Sequence, residues 1–155
     1  MRLVRAKDTF ALIDSGITLA TAEGFAGVWA VQTAGGAPMT LVSFEADDES
    51  DVVLFDSELN VVASLHPHAG ISSAAVLRNA RDELSAIIRA DGSGGLYAMT
   101  PGGDVLFFAG HSPHVRGALD LLITDAGSGY PLAVLFALSV ALKTKQLAFP
   151  YQLPN

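Results

Sequence analysis

One uncharged run near the C-terminus, from Ala126 to Leu142, constrains the fold of this chain more than any other feature. From Tyr130 onwards it is apolar around the whole circumference of a helix, and Pro131 stands where a first helical turn tolerates a missing N–H. Ser139, the one polar residue inside, is expected to donate its hydroxyl proton to the carbonyl of Leu135. We predict a helix from Pro131 to about Gln146, which must be surrounded by protein or by lipid.

Lipid would surround the helix if it spanned a membrane. A spanning helix needs about 20 apolar residues. The run, counted from 126 to 142, has 17 residues, and it includes loop glycines that disfavour helix. A membrane-anchored lipid-handling protein is therefore the third of the functions considered, and burial of the helix inside the protein is preferred.

Short apolar segments separated by turn residues precede the helix, a pattern typical of successive β-strands. Thr100-Pro-Gly-Gly-Asp104 is the clearest turn, because proline and glycine supply the backbone angles that a reversal needs. The expected pairs are 10–13 with 17–20, 28–32 with 39–45, 52–55 with 61–65, and 96–99 with 105–109, with single strands at 118–124 and 147–149.

Residues 73–90 admit two interpretations. Leu77, Leu84 and Ile88 fall on one helical face after a serine that can cap it, which favours a helix. However, the pattern of residues 53–63 and 97–108 also returns here, at a spacing of about 20 to 25 residues. We favour a hairpin that turns at Asn79 to Glu83, which brings the strand count to about twelve.

These elements predict a mainly β fold for residues 1–155 as a single domain. Strands of five or six residues span about 17 to 20 Å, and a helix about 10 Å wide suits the lumen of such a sheet once it closes. We therefore expect a closed antiparallel barrel of about twelve short strands around a buried C-terminal apolar helix.

This organisation resembles the tubby C-terminal-like superfamily, which includes tubby domains, LURP-one-related proteins and phospholipid scramblases. The resemblance covers nearly the whole chain and rests on three segments: Val28-Trp-Ala-Val-Gln-Thr-Ala-Gly-Gly-Ala-Pro-Met39, Leu54-Phe-Asp-Ser-Glu-Leu-Asn-Val-Val-Ala-Ser-Leu65, and the helix from Tyr130 to Leu142. It implies a non-enzymatic barrel domain that binds a lipid, a hydrophobic ligand or a protein partner. Tubby domains bind phosphoinositides through basic side chains, and scramblases add calcium-linked lipid movement.

Charge and cysteine content narrow the classes of partner. The formal net charge of −7 disfavours nucleic acid, and it does not favour membrane contact, although such contact is left open. Arg2, Arg5 and Lys7 form the only basic cluster of note. The chain has no cysteine, which fits a reducing compartment and favours a cytoplasmic location.

Four histidines provide the alternative function. His66 and His68, and likewise His111 and His114, follow predicted strands, so their imidazoles can meet at one end of the barrel and hold zinc or another transition metal. The chain would then be a metal-dependent enzyme or a metal-binding protein. The competing interpretation is that they are exposed loop residues. No catalytic residue and no other cofactor are predicted, so an enzyme is not favoured.

Overall fold

Twelve antiparallel strands form a closed barrel in the computed structural model, which describes residues 1–46, 49–67, 74–91 and 95–143. Each strand pairs with its neighbours in sequence, and the last strand pairs with the first. The predicted mainly β barrel is confirmed. Its strands are β1 Arg2–Ala6, β2 Thr9–Asp14, β3 Ile17–Phe25, β4 Val28–Thr33, β5 Met39–Ala46, β6 Glu49–Phe55, β7 Val61–Pro67, β8 Ala74–Asn79, β9 Leu84–Ala90, β10 Leu96–Met99, β11 Val105–His111 and β12 Leu119–Ile123.

Alternation of buried and exposed side chains along the strands creates the core. In β4, Trp29 and Val31 are buried while Val28, Ala30 and Gln32 are exposed. Successive side chains of a strand point to opposite faces of the sheet, so one set lines the lumen and the other faces outwards. The inner faces of the strands therefore present a nearly continuous apolar wall.

Three hairpins share one turn geometry, and each begins at a polar residue: Asp56, Asn79 or Thr100. In each turn the first residue's N–H donates to the carbonyl four positions later, over 2.9, 3.0 and 2.8 Å. Its side-chain oxygen accepts the N–H of that later residue, over 2.9, 3.0 and 3.1 Å. The spacing of the repeat is 79 − 56 = 23 and 100 − 79 = 21 residues.

The second of these turns decides between helix and hairpin for residues 73–90. Strands β8 and β9 flank Asn79 to Glu83, so the hairpin is confirmed and the helix is wrong. The apolar residues that mimic a helical face pair instead with strands on both sides, β7 and β10. Tertiary pairing together with the Asn79 turn outweighs the local amphipathic pattern.

Strand β1 is not predicted from the sequence. All five residues of β1 pair with residues of β2, but only Arg2 and Leu3 pair with β12. Arg2 and Arg5 flank its apolar residues, so the segment lacks the longer apolar run that predicts the other strands. The twelfth strand is therefore β1, and the strand predicted at 147–149 lies outside the described residues.

The apolar run forms a 3₁₀ turn, Gly127–Gly129, followed by helix α1, Leu132–Lys143. Residues 133–141 are all buried, and the helix contacts β3, β4, β6 and β7, so it lies inside the barrel as predicted. Ser139 Oγ donates to the carbonyl of Leu135 over 2.8 Å, as expected. The predicted extension to Gln146 lies outside the described residues. In the part of the chain that the structure describes, no helix is both long and apolar enough to cross a membrane.

The connection from β12 to the helix is held tightly against neighbouring strands. Thr124 N–H donates to the Leu106 carbonyl over 3.0 Å, and the Tyr130 hydroxyl donates to the Ser85 carbonyl over 2.9 Å. Gly127 is buried, and a Cβ placed on it would collide with the Leu106 carbonyl. The helix thus enters the lumen through a connection that has no space for a side chain at this position.

We predict that Gly127→Ala lowers the free energy of unfolding by about 1 to 3 kcal/mol, because its methyl group overlaps a backbone carbonyl that cannot rotate away. The matched control is Gly129→Ala, where a Cβ meets nothing within 4 Å. That control should change stability by no more than about 0.5 kcal/mol. Urea denaturation of both variants measures the difference, and equal losses would contradict the proposed close approach.

Candidate functional site

The lumen offers little space for a ligand beside the helix. Between α1 and strands β5 to β8 the free volume is about 10 Å³. Leu54 and Leu77 from the strands and Val134 and Leu138 from the helix line this gap. Such a volume is at the lower limit for a single water molecule. A ligand larger than a water molecule therefore has no room between the helix and these strands.

A groove of about 980 Å³ crosses the outside of the barrel where β1 meets β12, and we call it the seam groove. Val4, Ile13, Phe108, Val115 and Leu122 are among the apolar side chains that line it. Phe108 and Leu122 lie directly opposite each other on β11 and β12 and are 46% and 64% exposed. Large apolar side chains that are grouped in water mark surfaces that contact a ligand or a partner.

An ion pair lies in the floor of the seam groove. Arg2 and Asp120 are opposite each other on β1 and β12, and Arg2 Nε lies 2.6 Å from Asp120 Oδ1. The hydrogen bond from Arg2 holds the pKa of the Asp120 carboxyl below its ordinary range, and the Ser112 hydroxyl acts in the same direction. The charges of this pair neutralise each other, while Asp91 and His111 also line the groove, so polar residues lie among its apolar side chains.

We predict that this ion pair makes the barrel less stable in acid. The pKa of Asp120 is lower in the folded chain than in the unfolded chain, where it is about 3.9. Its stabilising contribution is therefore complete above the unfolded pKa and is lost as the pH falls through the folded one. The variant Asp120→Asn should remove this part of the dependence of unfolding free energy on pH between about pH 5 and pH 2.

Thermal or urea denaturation across this pH range measures the effect. The control is Asp104→Asn, which removes an exposed carboxylate from the β10–β11 turn and leaves the seam intact. An acid profile that is identical for Asp120→Asn and the unmodified chain would contradict the prediction. Asp56 also has a pKa lowered by hydrogen bonding, chiefly from the Asn60 N–H, so some acid sensitivity should persist in both variants.

A second polar cluster joins β6 to β7. His66 Nδ1 lies 2.9 Å from Asp51 Oδ1, and its Nε2 lies 2.9 Å from Ser64 Oγ. Ser64 and His66 are two residues apart and share one face of β7, while Asp51 lies across from His66 on β6. A histidine that contacts a serine through one ring nitrogen and an aspartate through the other is the arrangement of a hydrolase triad.

Two features of this cluster argue against catalysis. Ser64 is only 9% exposed, so an incoming carbonyl has little access to its oxygen. Strand β7 is paired on both sides, because Ser64 lies opposite Val53 of β6 and opposite Arg78 of β8. Backbone N–H groups in a paired strand are not available to form an oxyanion hole. The cluster is best explained as a polar cross-link between two strands.

We predict that a fluorophosphonate probe, which labels activated serines, does not react with Ser64. His66→Ala should instead lower the free energy of unfolding by about 1 kcal/mol, because it removes one partner of two hydrogen bonds. His114→Ala is the control, since His114 is exposed in the β11–β12 loop. Labelling of Ser64 that disappears in His66→Ala would show that the triad is active and would contradict this interpretation.

The structure brings part of the predicted histidine cluster to one rim of the barrel. Strands β7 and β11 run in the same direction, so His66 and His111 both lie towards the same end. His114 is exposed in the loop that follows β11, and its N–H donates to Ser112 Oγ over 3.3 Å. His68 lies outside the described residues.

The described side chains at this rim do not form a metal-binding site. In the described ranges, no three histidine, aspartate or glutamate side chains come together as a metal site requires. Both ring nitrogens of His66 already contact other side chains, so a metal would have to displace Ser64 or Asp51. Because His68 is not described, the four-histidine site stays a prediction.

Comparisons of the chain with family models, with curated proteins and with solved structures each find no match.

Proposed function

We propose that this chain is a non-enzymatic binding domain of the tubby C-terminal-like type, with the organisation of LURP-one-related and scramblase-like proteins. Its ligand is a lipid, another hydrophobic molecule or an apolar segment of a protein partner. The resemblance rests on the residues named above, and the twelve-stranded barrel with its internal helix agrees with it. The absence of cysteine from the sequence supports a cytoplasmic location.

The seam groove is the site that this function would use. Only about 10 Å³ is free between α1 and strands β5 to β8, whereas a largely apolar groove of about 980 Å³ lies on the outer surface, and this contrast supports the proposal. Sites for small molecules are concave, mostly apolar and of about 300 to 1,000 Å³. Phe108 and Leu122 supply apolar area there, and the charges of Arg2 and Asp120 neutralise each other. An uncharged apolar chain is the ligand that these surfaces favour.

The proposal is tested with Nile red, an uncharged fluorescent probe of apolar sites. We expect saturable binding, and we expect Leu122→Asp to weaken it about tenfold or more, because a carboxylate would have to lose water beside the bound probe. Leu122 is exposed, so the variant should fold. Fluorescence titration measures the affinity, and native mass spectrometry of untagged protein detects any lipid that remains bound during purification.

Leu59→Asp is the matched control for this test. Leu59 is 74% exposed in the β6–β7 turn and does not line the seam groove. Its substitution makes the same chemical change at a distant place, so the affinity for Nile red should stay the same. Equal weakening in both variants, or none in either, would mean that the groove is not the binding site.

A further inference from the structure

The pairing of β1 with β12 ends before β1 does. The two strands pair at Arg2 with Asp120 and at Leu3 with Leu119. The chain before β12 turns away and bonds to itself, with Ser112 N–H donating to the Ala118 carbonyl over 3.0 Å. In the ranges that the structure describes, no backbone hydrogen bond joins the end of β1 to this loop. One edge of β1 is therefore open.

The register shows which backbone groups this edge presents. Leu121 N–H donates to the Met1 carbonyl over 2.9 Å, so the main chain of Met1 faces β12. Main-chain groups of alternate residues in a strand point to the same side. Leu3 and Arg5 therefore face the same way as Met1, and Arg5 directs its N–H and C=O towards the open edge. Main-chain N–H and C=O groups in folded proteins normally form hydrogen bonds. At the open edge of β1, an incoming strand can form them with Arg5.

A cleft of about 580 Å³ lies between this edge and the β11–β12 loop, and we call it the edge cleft. Arg5, Lys7 and Arg116 line it together with Val4 and Val115, and no acidic side chain does. All three cations are exposed, and within the described residues none of them forms an ion pair. This concentration of positive charge is unexpected in a chain whose formal net charge is −7.

The Arg5 side chain is held in position. Its Nε donates to the carbonyl of Lys7 over 3.0 Å, and its guanidinium carbon lies 5.3 Å from the centre of the Phe10 ring. Stacking on an aromatic ring and one hydrogen bond fix the plane of the guanidinium, and its two terminal nitrogens keep donors for a carboxylate. The cleft is thus prepared for an anion next to an open strand edge.

We propose that the edge cleft binds an acidic segment of a partner protein, which adds to β1 in an extended conformation. Strand addition obtains affinity from main-chain hydrogen bonds and selectivity from side-chain contacts. A peptide can accept from the Arg5 N–H, donate to the Arg5 C=O and place carboxylates near the three cations. A free phosphate or a lipid headgroup can meet the cations but has no amide to donate to that carbonyl. This site goes beyond the seam-groove proposal and does not depend on it.

The test uses the full chain and a fluorescein-labelled hexapeptide, acetyl-Glu-Val-Glu-Val-Glu-Val-amide, followed by fluorescence anisotropy. We expect it to bind, and the lysine counterpart of the same pattern not to bind. Raising the salt from about 50 to 300 mM should weaken binding, since these ion pairs are exposed to solvent. The triple variant R5Q/K7Q/R116Q should bind about tenfold more weakly, which corresponds to about 1.4 kcal/mol spread over three exposed pairs.

Arg81→Gln is the matched control, because Arg81 is an exposed cation in the β8–β9 turn, at the opposite end of the strands. It should leave the affinity unchanged. Equal weakening by R81Q and by the triple variant would show general charge attraction and would overturn the proposed site. Absence of peptide binding would also overturn it, and the cations would then serve to protect an exposed strand edge from aggregation.

A set of peptides carrying a single N-methyl group tests the strand geometry. Methylation of an amide that faces β1 removes a hydrogen-bond donor and adds bulk, whereas the next amide faces away. We expect losses of about tenfold that alternate along the peptide. Losses without alternation would overturn strand addition. Tighter binding of inorganic phosphate or of phosphatidylserine-containing vesicles, abolished by the same triple variant, would overturn the peptide in favour of an anion or a lipid headgroup.

The two proposals fail in different ways. Leu122→Asp should weaken Nile red binding about tenfold or more without changing the peptide affinity, and R5Q/K7Q/R116Q should weaken peptide binding about tenfold without changing the affinity for Nile red. Peptide binding that is as strongly reduced by Leu122→Asp as by R5Q/K7Q/R116Q would place the peptide in the seam groove and would overturn the edge-cleft assignment.

Discussion

The fold depends on one packing constraint, which is that the lumen of a closed sheet must be filled. The inner faces of the strands are apolar, and a helix can fill the space only if it is apolar on every side. Residues 133–141 meet this condition, because all are buried and Ser139, the one polar residue among them, bonds within its own helix. The same constraint determines where function can lie. Where about 10 Å³ remains between the helix and β5 to β8, the lumen has no room for a ligand larger than a water molecule.

Closure of the barrel creates the two outer sites. A strand pair with only two facing residues is weak by itself, and the Arg2–Asp120 ion pair and the bond from Leu121 N–H to Met1 reinforce it. Because the pairing stops at Leu3, the rest of β1 is not paired with β12. The seam groove and the edge cleft share Val4 and Val115, so they are two parts of the same discontinuity. Pairing that continued to the end of β1 would have covered the open edge beside the edge cleft.

The sequence predicts the elements whose signals are local. Turns that begin at Asp56, Asn79 and Thr100 repeat one hydrogen-bond pattern, so the repeat identified a hairpin where hydrophobic periodicity favoured a helix. The run from Ala126 to Leu142 also carries a local signal, because a helix that is apolar on every side must be covered. Strand β1 has no such signal, because its identity depends on β2 and on a partner more than a hundred residues away. The groove and the cleft arise from that distant register, which residue spacing does not contain, whereas the Asp51–His66 contact arises from the pairing of β6 with β7.

Net charge is also a weaker guide to partners than the arrangement of charges. A formal charge of −7 opposes the approach of any anion at long range, and it therefore disfavours nucleic acid and anionic membranes as partners. At about 0.1 M salt, however, exposed charges more than about 10 Å apart are largely screened from each other. An acidic segment inside the edge cleft therefore interacts mainly with Arg5, Lys7 and Arg116, and hardly with carboxylates elsewhere on the barrel. The overall negative charge then reduces the rate at which acidic partners arrive, while the local cations determine whether they stay.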